Sequence, residues 1–408
     1  MGRLLIPACA AATLLLAQVA RADEFDLSVE LRAVSTDATA TRLTGGLGKL
    51  RYDEQHDGLR LGYVRLGYRG DVTQTLRVAV EAFAYGDHDV NALDLTEIYA
   101  DWRPVPSTAW RSRAKVGAFY PEISLENRMR GWRSPYTLSF SAVNTWVGEE
   151  LRTIGAEYSL DWLGRTHGHS FDVTLNAAAF GWNDPAGTVV ATRGWGLHDR
   201  QSTLFGRYAN EGQPLPPRTL FFDDLDKRAG YYAGVAVNYR GLLEARALHY
   251  DNRANLATEE STKINDSVWL TYFESLGLRW TPSADWTLIG QWLHGRTLVD
   301  YEVPHNAWSF HSEFLLASWK RGAMRYSARY DRFEMQQTYS NFSQYIGGIY
   351  FGDRGHAWTF ACNRQFDEHW SAALEAIEVY GDVTQRALIG APTAVTERQW
   401  QLAVRYDL

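Results

Sequence analysis

Apolar side chains recur at every second position in segments of about ten residues along most of this chain, most clearly in Phe171–Phe180, Tyr231–Arg240 and Met324–Arg332. A period of two marks a β-strand with one apolar face, and ~10 residues is the length of a tilted strand that crosses a bilayer. The same template predicts sixteen strands. They are 25–34, 59–69, 75–85, 94–102, 112–120, 151–160, 170–180, 231–240, 242–250, 268–280, 286–294, 308–319, 323–333, 357–364, 370–380 and 400–408.

The predicted connections alternate in length. Long ones fall at 35–58, 86–93, 121–150, 181–230, 251–267, 295–307, 334–356 and 381–399, and the intervening ones are short and carry turn residues, as in Arg69-Gly70-Asp71, Arg240-Gly241 and Lys320-Arg321-Gly322. Lipid offers no partner for backbone N–H and C=O groups, so spanning strands must close on themselves. The expected fold is therefore all-β, a transmembrane antiparallel barrel with long external loops, short turns on the periplasmic side and both chain ends there. The last strand alternates through Trp400, Leu402, Val404 and Tyr406 to a terminal Leu408, the pattern of a C-terminal barrel-insertion signal for the assembly machinery, with Leu where Phe is usual. Tyr99, Trp102, Trp280, Trp286, Trp319, Trp358, Phe366 and Trp370 sit near predicted strand ends, where aromatic rings suit the headgroup level.

Composition supports this pattern. The chain holds 16 Trp, 22 Tyr, 17 Phe and 34 Gly but only 4 Met, a profile of many strands and tight turns. At the start, Arg3, the apolar run Leu4–Ala17 and Ala20-Arg21-Ala22 read as a signal peptide over 1–22, with the barrel over 23–408. Loss of Arg3 and Arg21 leaves 39 basic residues against 48 acidic ones, a formal charge of −9 that argues against nucleic acid as a partner. Cys362 is the one cysteine beyond the leader, so no internal disulfide is expected. Outer-membrane lipid and lipopolysaccharide are the expected surroundings.

Taking the apolar parity as the lipid face puts the charges on the other face. Arg65, Arg69, Arg77, Glu81, Arg113, Lys115, Glu157, Arg325, Arg329 and Asp331 are thereby expected on the lumen wall. The third long connection adds both signs of charge, with Glu122, Glu126, Arg128, Arg130, Arg133, Glu149 and Glu150.

Three segments, Asp57–Gly70, Leu95–Trp102 and Val116–Asn127, resemble the N-terminal third of the phosphate- and polyphosphate-selective porins. The resemblance covers about a quarter of the chain. It implies a homotrimer, passive diffusion of small polar or ionic solutes, a third loop folded into the lumen as a constriction, and anion preference from lumenal arginines. The formal charge of −9 and the acidic residues among the arginines of the third loop depart from that pattern, so the resemblance carries general solute diffusion and not phosphate selectivity. In the constriction so implied, Glu122, Glu126, Arg128, Arg130 and Arg133 would set a transverse field that chooses among ions.

Catalytic and metal chemistry find little footing, and neither a cofactor nor an enzymatic activity is expected. His167-Gly168-His169-Ser170 falls in a predicted short turn without a companion carboxylate. Gly86-Asp87-His88-Asp89 and Asp223-Asp224-Leu225-Asp226 lack the spacing of a calcium loop and read as solvated loops. The competing readings are a non-conducting barrel whose 181–230 loop binds a surface ligand, an outer-membrane hydrolase, and a soluble β-sandwich or propeller. The hydrolase lacks a Ser/His/acid set at a recognisable spacing, and no blade-length repeat supports a propeller.

Overall fold

A computed structural model describes residues 24–87, 93–209, 218–257, 268–299, 306–340 and 348–408; the expected leader lies outside them. Seven strands come first: β1 (Glu24–Thr36), β2 (Gly58–Asp71), β3 (Leu76–Ala84), β4 (Asp94–Trp102), β5 (Trp110–Phe119), β6 (Thr153–Trp162) and β7 (Phe171–Gly181). A two-stranded hairpin, β8 (Arg207–Ala209) with β9 (Arg218–Leu220), stands apart from them. Nine more follow: β10 (Gly230–Tyr239), β11 (Leu243–Asp251), β12 (Trp269–Trp280), β13 (Trp286–Val299), β14 (Asn306–Arg321), β15 (Met324–Tyr339), β16 (Gly352–Gln365), β17 (Trp370–Val383) and β18 (Ala394–Asp407). All but β8 and β9 form one closed antiparallel barrel of sixteen strands, in which β7 pairs with β10 and β18 returns to β1. Closure pairs every strand on both sides, which is what allows such a sheet to stand in hydrocarbon.

The alternation sorts side chains as expected across the sheet. Leu31, Leu66, Val116, Leu175, Leu276, Leu315, Leu374 and Leu402 point outward and are exposed, whereas Ser28, Glu30, Arg32 and Arg65 point inward and are buried. Aromatic rings edge this apolar band. Near the short turns Trp286 stacks on Trp319, and Trp319 on Tyr326, with centroids 6.1 and 5.7 Å apart; nearer the long loops stand Trp292, Trp358 and Trp400. Tyr99 departs from the expected girdle. It faces the lumen, with Lys115 Nζ 5.9 Å from its ring.

Sixteen barrel strands stand where sixteen were expected, but several run further toward the long loops. β13 extends to Val299 rather than 294, and β15 to Tyr339 rather than 333; β16 starts at Gly352 rather than 357, and β18 at Ala394 rather than 400. In these extensions the outward positions turn polar. Arg296 lies there on β13, and Arg398 of β18 meets Glu378 of β17 at 2.6 Å. A charge at mid-bilayer costs roughly 2–4 kcal/mol, so these ends project beyond the hydrocarbon, and the apolar-out template stops where the lipid does.

Parts of the first, third and fourth connections fold into the barrel instead of standing above it. The third, 120–152, contains α1 (Ala142–Glu150), all nine residues of which are buried. Ser141 caps α1, its hydroxyl accepting from Asn144 N at 3.3 Å. The fourth, 182–229, contributes α2 (Thr188–Arg193), also buried throughout, followed by an inward strap over 194–204. Together they build an apolar core inside the barrel. Trp146 of α1 packs on Phe273 of β12 and Phe310 of β14 with centroids 5.3 and 5.0 Å apart, and its ring also meets Trp195 of the strap. Leu293, Phe314, Phe333 and Met335 of the inner wall join the same cluster. Over β12–β14 the inner wall therefore faces an α-helix and not water, while on β15 Arg325, Arg329 and Asp331 point inward beside that core.

Candidate functional site

The charges that alternation places inside the barrel do two kinds of work. One set fastens the third connection to the wall. Arg329 of β15, fully buried, donates to Glu126 Oε1 at 2.7 Å, to Asp331 Oδ2 at 2.7 Å, and to the carbonyls of Ser139 and Phe140 at 2.7 and 2.9 Å. Asp331 accepts from Ala142 N at 3.0 Å, and Glu375 of β17 accepts from Leu138 N at 2.6 Å and Ser139 N at 3.1 Å. A loop carries backbone donors and acceptors that need partners once dry. These side chains supply them.

Other ties hold the fourth connection. Glu150, at the end of α1, accepts from Gly187 N (3.1 Å), Val189 N (2.8 Å) and Val190 N (3.2 Å), and from Trp146 Nε1 (2.5 Å). The carboxyl thus sits at the N-terminus of α2. Burial outweighs these donors and pushes Glu150 up to about 7. Lys49 of the first connection meets Asp353 at 2.7 Å, and Arg42 pairs with Glu149. Gly131, at φ +66°, lets the third connection pass against Arg65 and Phe83, since a Cβ there would stand 2.5 Å from Arg65 Cδ.

The second set of charges runs along the wall from β15 and β18 through β1–β3 to β5, β6 and β11. Arg133 donates to Ser28 Oγ (3.0 Å) and Tyr63 Oη (2.5 Å), and Arg130 pairs with Glu24 (2.6 Å) and Asp26 (2.8 Å). Arg65 meets Glu81 at 2.6 Å, with Arg69 3.5 Å from the same carboxylate. Arg128 pairs with Glu244 across the lumen at 2.6 Å. Glu122 lies between Lys115 (3.0 Å) and Arg113 (3.7 Å); burial would raise its carboxyl, but Lys115, Arg246 and Arg113 hold it down at about 2. Glu157 accepts from Tyr232 Oη at 2.6 Å, and Arg325 donates to Ser318 Oγ at 3.0 Å. Arg77 stands apart at the short-turn end, half-exposed and paired with Asp71 at 2.6 Å. Of the five third-loop charges, Glu126 is sealed against Arg329, and the other four lie toward the short-turn side of the loop.

Cavities follow this charged side. One of about 280 Å³ is lined by Glu30, Ser134, Thr137, Arg325, Asn363 and Arg405, among others, below the third connection. A throat of about 10 Å³ lies next to it, between Arg32, Tyr63, Tyr85, Arg133, Asp199 and Arg405. The two share Ser134, Thr137, Leu138 and Arg405 as lining. Arg32, Arg405 and Glu375 are reached by the same parity rule as the expected residues, since Leu31 and Ala33, Val404 and Tyr406, and Leu374 and Ala376 take the outward parity around them. Arg51 and Asp199 are not, because they come from connections.

This arrangement is a closed barrel with loops folded inward and ionised side chains along one wall. The fold is that of outer-membrane porins. The chain is similar to the outer membrane channel DcaP of Acinetobacter baumannii, with a TM-score of 0.53 at 11% identity over 95% of this chain and 97% of that one. It is similar also to an anion-selective porin from Comamonas acidovorans (TM-score 0.50, 11% identity, 95% and 99% covered) and to Salmonella typhi OmpF solved with daunomycin (0.50, 10%, 95% and 97%). No family model and no curated protein matches the sequence. At such identities the likeness establishes the porin-type barrel alone, and the narrower resemblance to phosphate-selective porins gains nothing from it.

The histidine turn lies outside the lumen, whereas Asp87 reaches the throat through Arg51. His167 and His169 lie in the β6–β7 turn, where His167 Nδ1 sits 3.0 Å from the carbonyl of Leu163. Asp87 pairs with Arg51, while His88 and Asp89 lie outside the described residues. Asp224 and Asp226 are half-buried and converge with Asp184 to within 4.8 Å, which corrects their reading as freely solvated. Burial, and then Asp226 and Asp224, raise Asp184 to about 6, against the donors Asp226 N and Leu225 N.

Proposed function

We propose that the protein is a bacterial outer-membrane porin through which small polar or ionic solutes diffuse passively, along the charged side of a lumen narrowed by the third and fourth connections. The carrying observation is the segregation inside the barrel. Over β12–β14 the wall packs on α1 through Phe273, Leu293, Phe310 and Phe314, whereas the 280 Å³ cavity and the small one beside it lie among ionised side chains of β1, β15, β16, β18 and the third connection. Water and ions follow the polar side, because an ion in an apolar packing layer loses its hydration without compensation. Arg32, Arg130, Arg133 and Arg405 stand on that side, each beside a carboxylate, so the reading carries diffusion of small polar or ionic solutes and no phosphate selectivity. A homotrimer fits the same reading, as does delivery by a leader cleaved after Ala22.

The test is single-channel recording of the purified protein in planar bilayers. Ohmic steps support the proposal. A second reading, a non-conducting barrel with a surface role, is favoured by the extent of the lumenal core, and a folded protein giving no steps would establish it.

A further inference from the structure

One carboxylate in the narrow part of the lumen is held in an unusual way. Asp199 belongs to the strap after α2, not to the wall, and only 8% of it is exposed. Its Oδ1 accepts from Arg32 Nη1 and Arg51 Nη1, both at 3.1 Å; its Oδ2 accepts from Arg51 Nη1 at 3.2 Å and from Arg32 Nη2. Two guanidinium groups therefore grip one carboxylate. Arg32 is further fixed by Glu30 Oε1 and Gln401 Oε1 (2.9 Å), and Arg51 by Asp87 Oδ2 and the carbonyl of Gly62. The site is thus preorganised by groups other than Asp199. It borders the throat beside Tyr63 and Tyr85, and the throat adjoins the 280 Å³ cavity through shared lining.

We propose that the Arg32–Arg51 pair is an oxyanion site on the solute path, taking the carboxylate or phosphate group of a permeating anion, and that Asp199 occupies it as a built-in stand-in that closes the throat. The inference rests on the reading of the barrel as a channel. Charge counting agrees with it. Arg32, Arg51, Arg133, Arg200 and Arg405 surround the throat with Glu30, Asp87, Asp199 and Asp407 as their paired carboxylates. Withdrawal of Asp199 leaves Arg32 and Arg51 without the carboxylate they share, which an incoming oxyanion restores. Exchanging one carboxylate for another keeps the number of charge-assisted hydrogen bonds, and the guanidinium fork suits carboxylate and phosphate alike. The strap offers a simple route for release. It has no strand pairing of its own; beyond side-chain contacts its backbone is tied by Leu197 N to Lys49 O (2.9 Å), Ser202 N to Gly148 O (3.1 Å) and Leu204 N to Leu95 O (2.8 Å).

The test compares wild type with Asp199→Ala and the near-isosteric Asp199→Asn, each checked for folding by heat-modifiable migration on gels. Planar-bilayer conductance and reversal potential in a KCl gradient give one readout; calorimetric titration of inorganic phosphate and of succinate into the detergent-solubilised protein gives the other. Both variants should conduct at least twofold more than wild type and shift toward anion selectivity. Phosphate or succinate should bind Asp199→Ala at least tenfold more tightly than wild type, and adding Arg51→Met should abolish the gain. Whichever anion binds identifies the oxyanion class. Folded variants that bind neither anion overturn the proposal, even if they conduct. Anion binding by Asp199→Ala in a protein that never conducts upholds the site and removes the channel reading.

Discussion

Replacing Arg329 by Met should free the third connection while leaving the barrel intact. Met keeps the apolar stem and deletes the charged head, so Glu126 and Asp331, both fully buried, lose the cation between them. Breaking such a buried pair costs roughly 3–5 kcal/mol. The lower end applies here, because Glu126 still accepts from Ser141 N at 3.1 Å and Asn144 Nδ2 at 2.9 Å, and Asp331 from Ala142 N at 3.0 Å. A loss of about 3 kcal/mol in the closed state of the loop raises its open population on the order of 100-fold. Strand pairing of β15 with β14 and β16 involves backbone alone and is retained. The assay is limited trypsinolysis of the purified, detergent-solubilised protein, following the fragments cut after Arg128, Arg130 and Arg133 by mass spectrometry. Cleavage that samples a transient opening tracks the open population, so the variant should be cut about 100-fold faster. Adding Glu126→Gln and Asp331→Asn should restore most of the protection, since the uncompensated charges are then gone. A folded Arg329→Met barrel cut within threefold of the wild-type rate would refute the reasoning.

Replacing Arg128, Arg130 and Arg133 together by Ala should move the reversal potential in a salt gradient toward cations; an unchanged value clears this part of the loop of a role in selectivity. Glu150 gives a pH dependence with a definite sign. Its carboxyl is raised from the ordinary 4.5 to about 7, so the seat of α2 is firmest below about pH 4.5 and loosens as pH rises through 7, by up to about 3 kcal/mol. Hydrogen exchange at the amides of Val189 and Val190, corrected for intrinsic rates, should show weaker protection at pH 8 than at pH 5, and Glu150→Gln should flatten that difference. Gly131→Val places a branched side chain at φ +66° against Arg65 and Phe83, and should lower the thermal midpoint of loop protection without changing barrel migration on gels.

What the chain reveals by itself is set by the lipid. A bilayer imposes one rule on every spanning segment, apolar toward hydrocarbon at each second residue, and that rule is local enough to read from Phe171–Phe180 or Trp400–Tyr406 alone. Strand number, closure, the order of long and short connections, and the inward parity of Arg65, Glu81, Lys115 and Arg329 all follow from it. The rule falls silent where lipid ends, which is why β13 and β15 were expected to stop five and six residues early.

Inside the barrel no uniform solvent imposes a period. Whether Phe273, Phe310 and Phe333 face water or a protein core depends on α1, which lies more than a hundred residues away in sequence. The α2 segment and the strap through Asp199 carry no strand alternation, so their inward course is fixed only by partners from distant elements: Glu150, Asp353, and the Arg32–Arg51 pair. The sequence determined the cylinder, because each strand meets the same surroundings on its outer face. Tertiary structure alone decided which side of that cylinder is dry, because burial in the lumen is a property of two surfaces meeting.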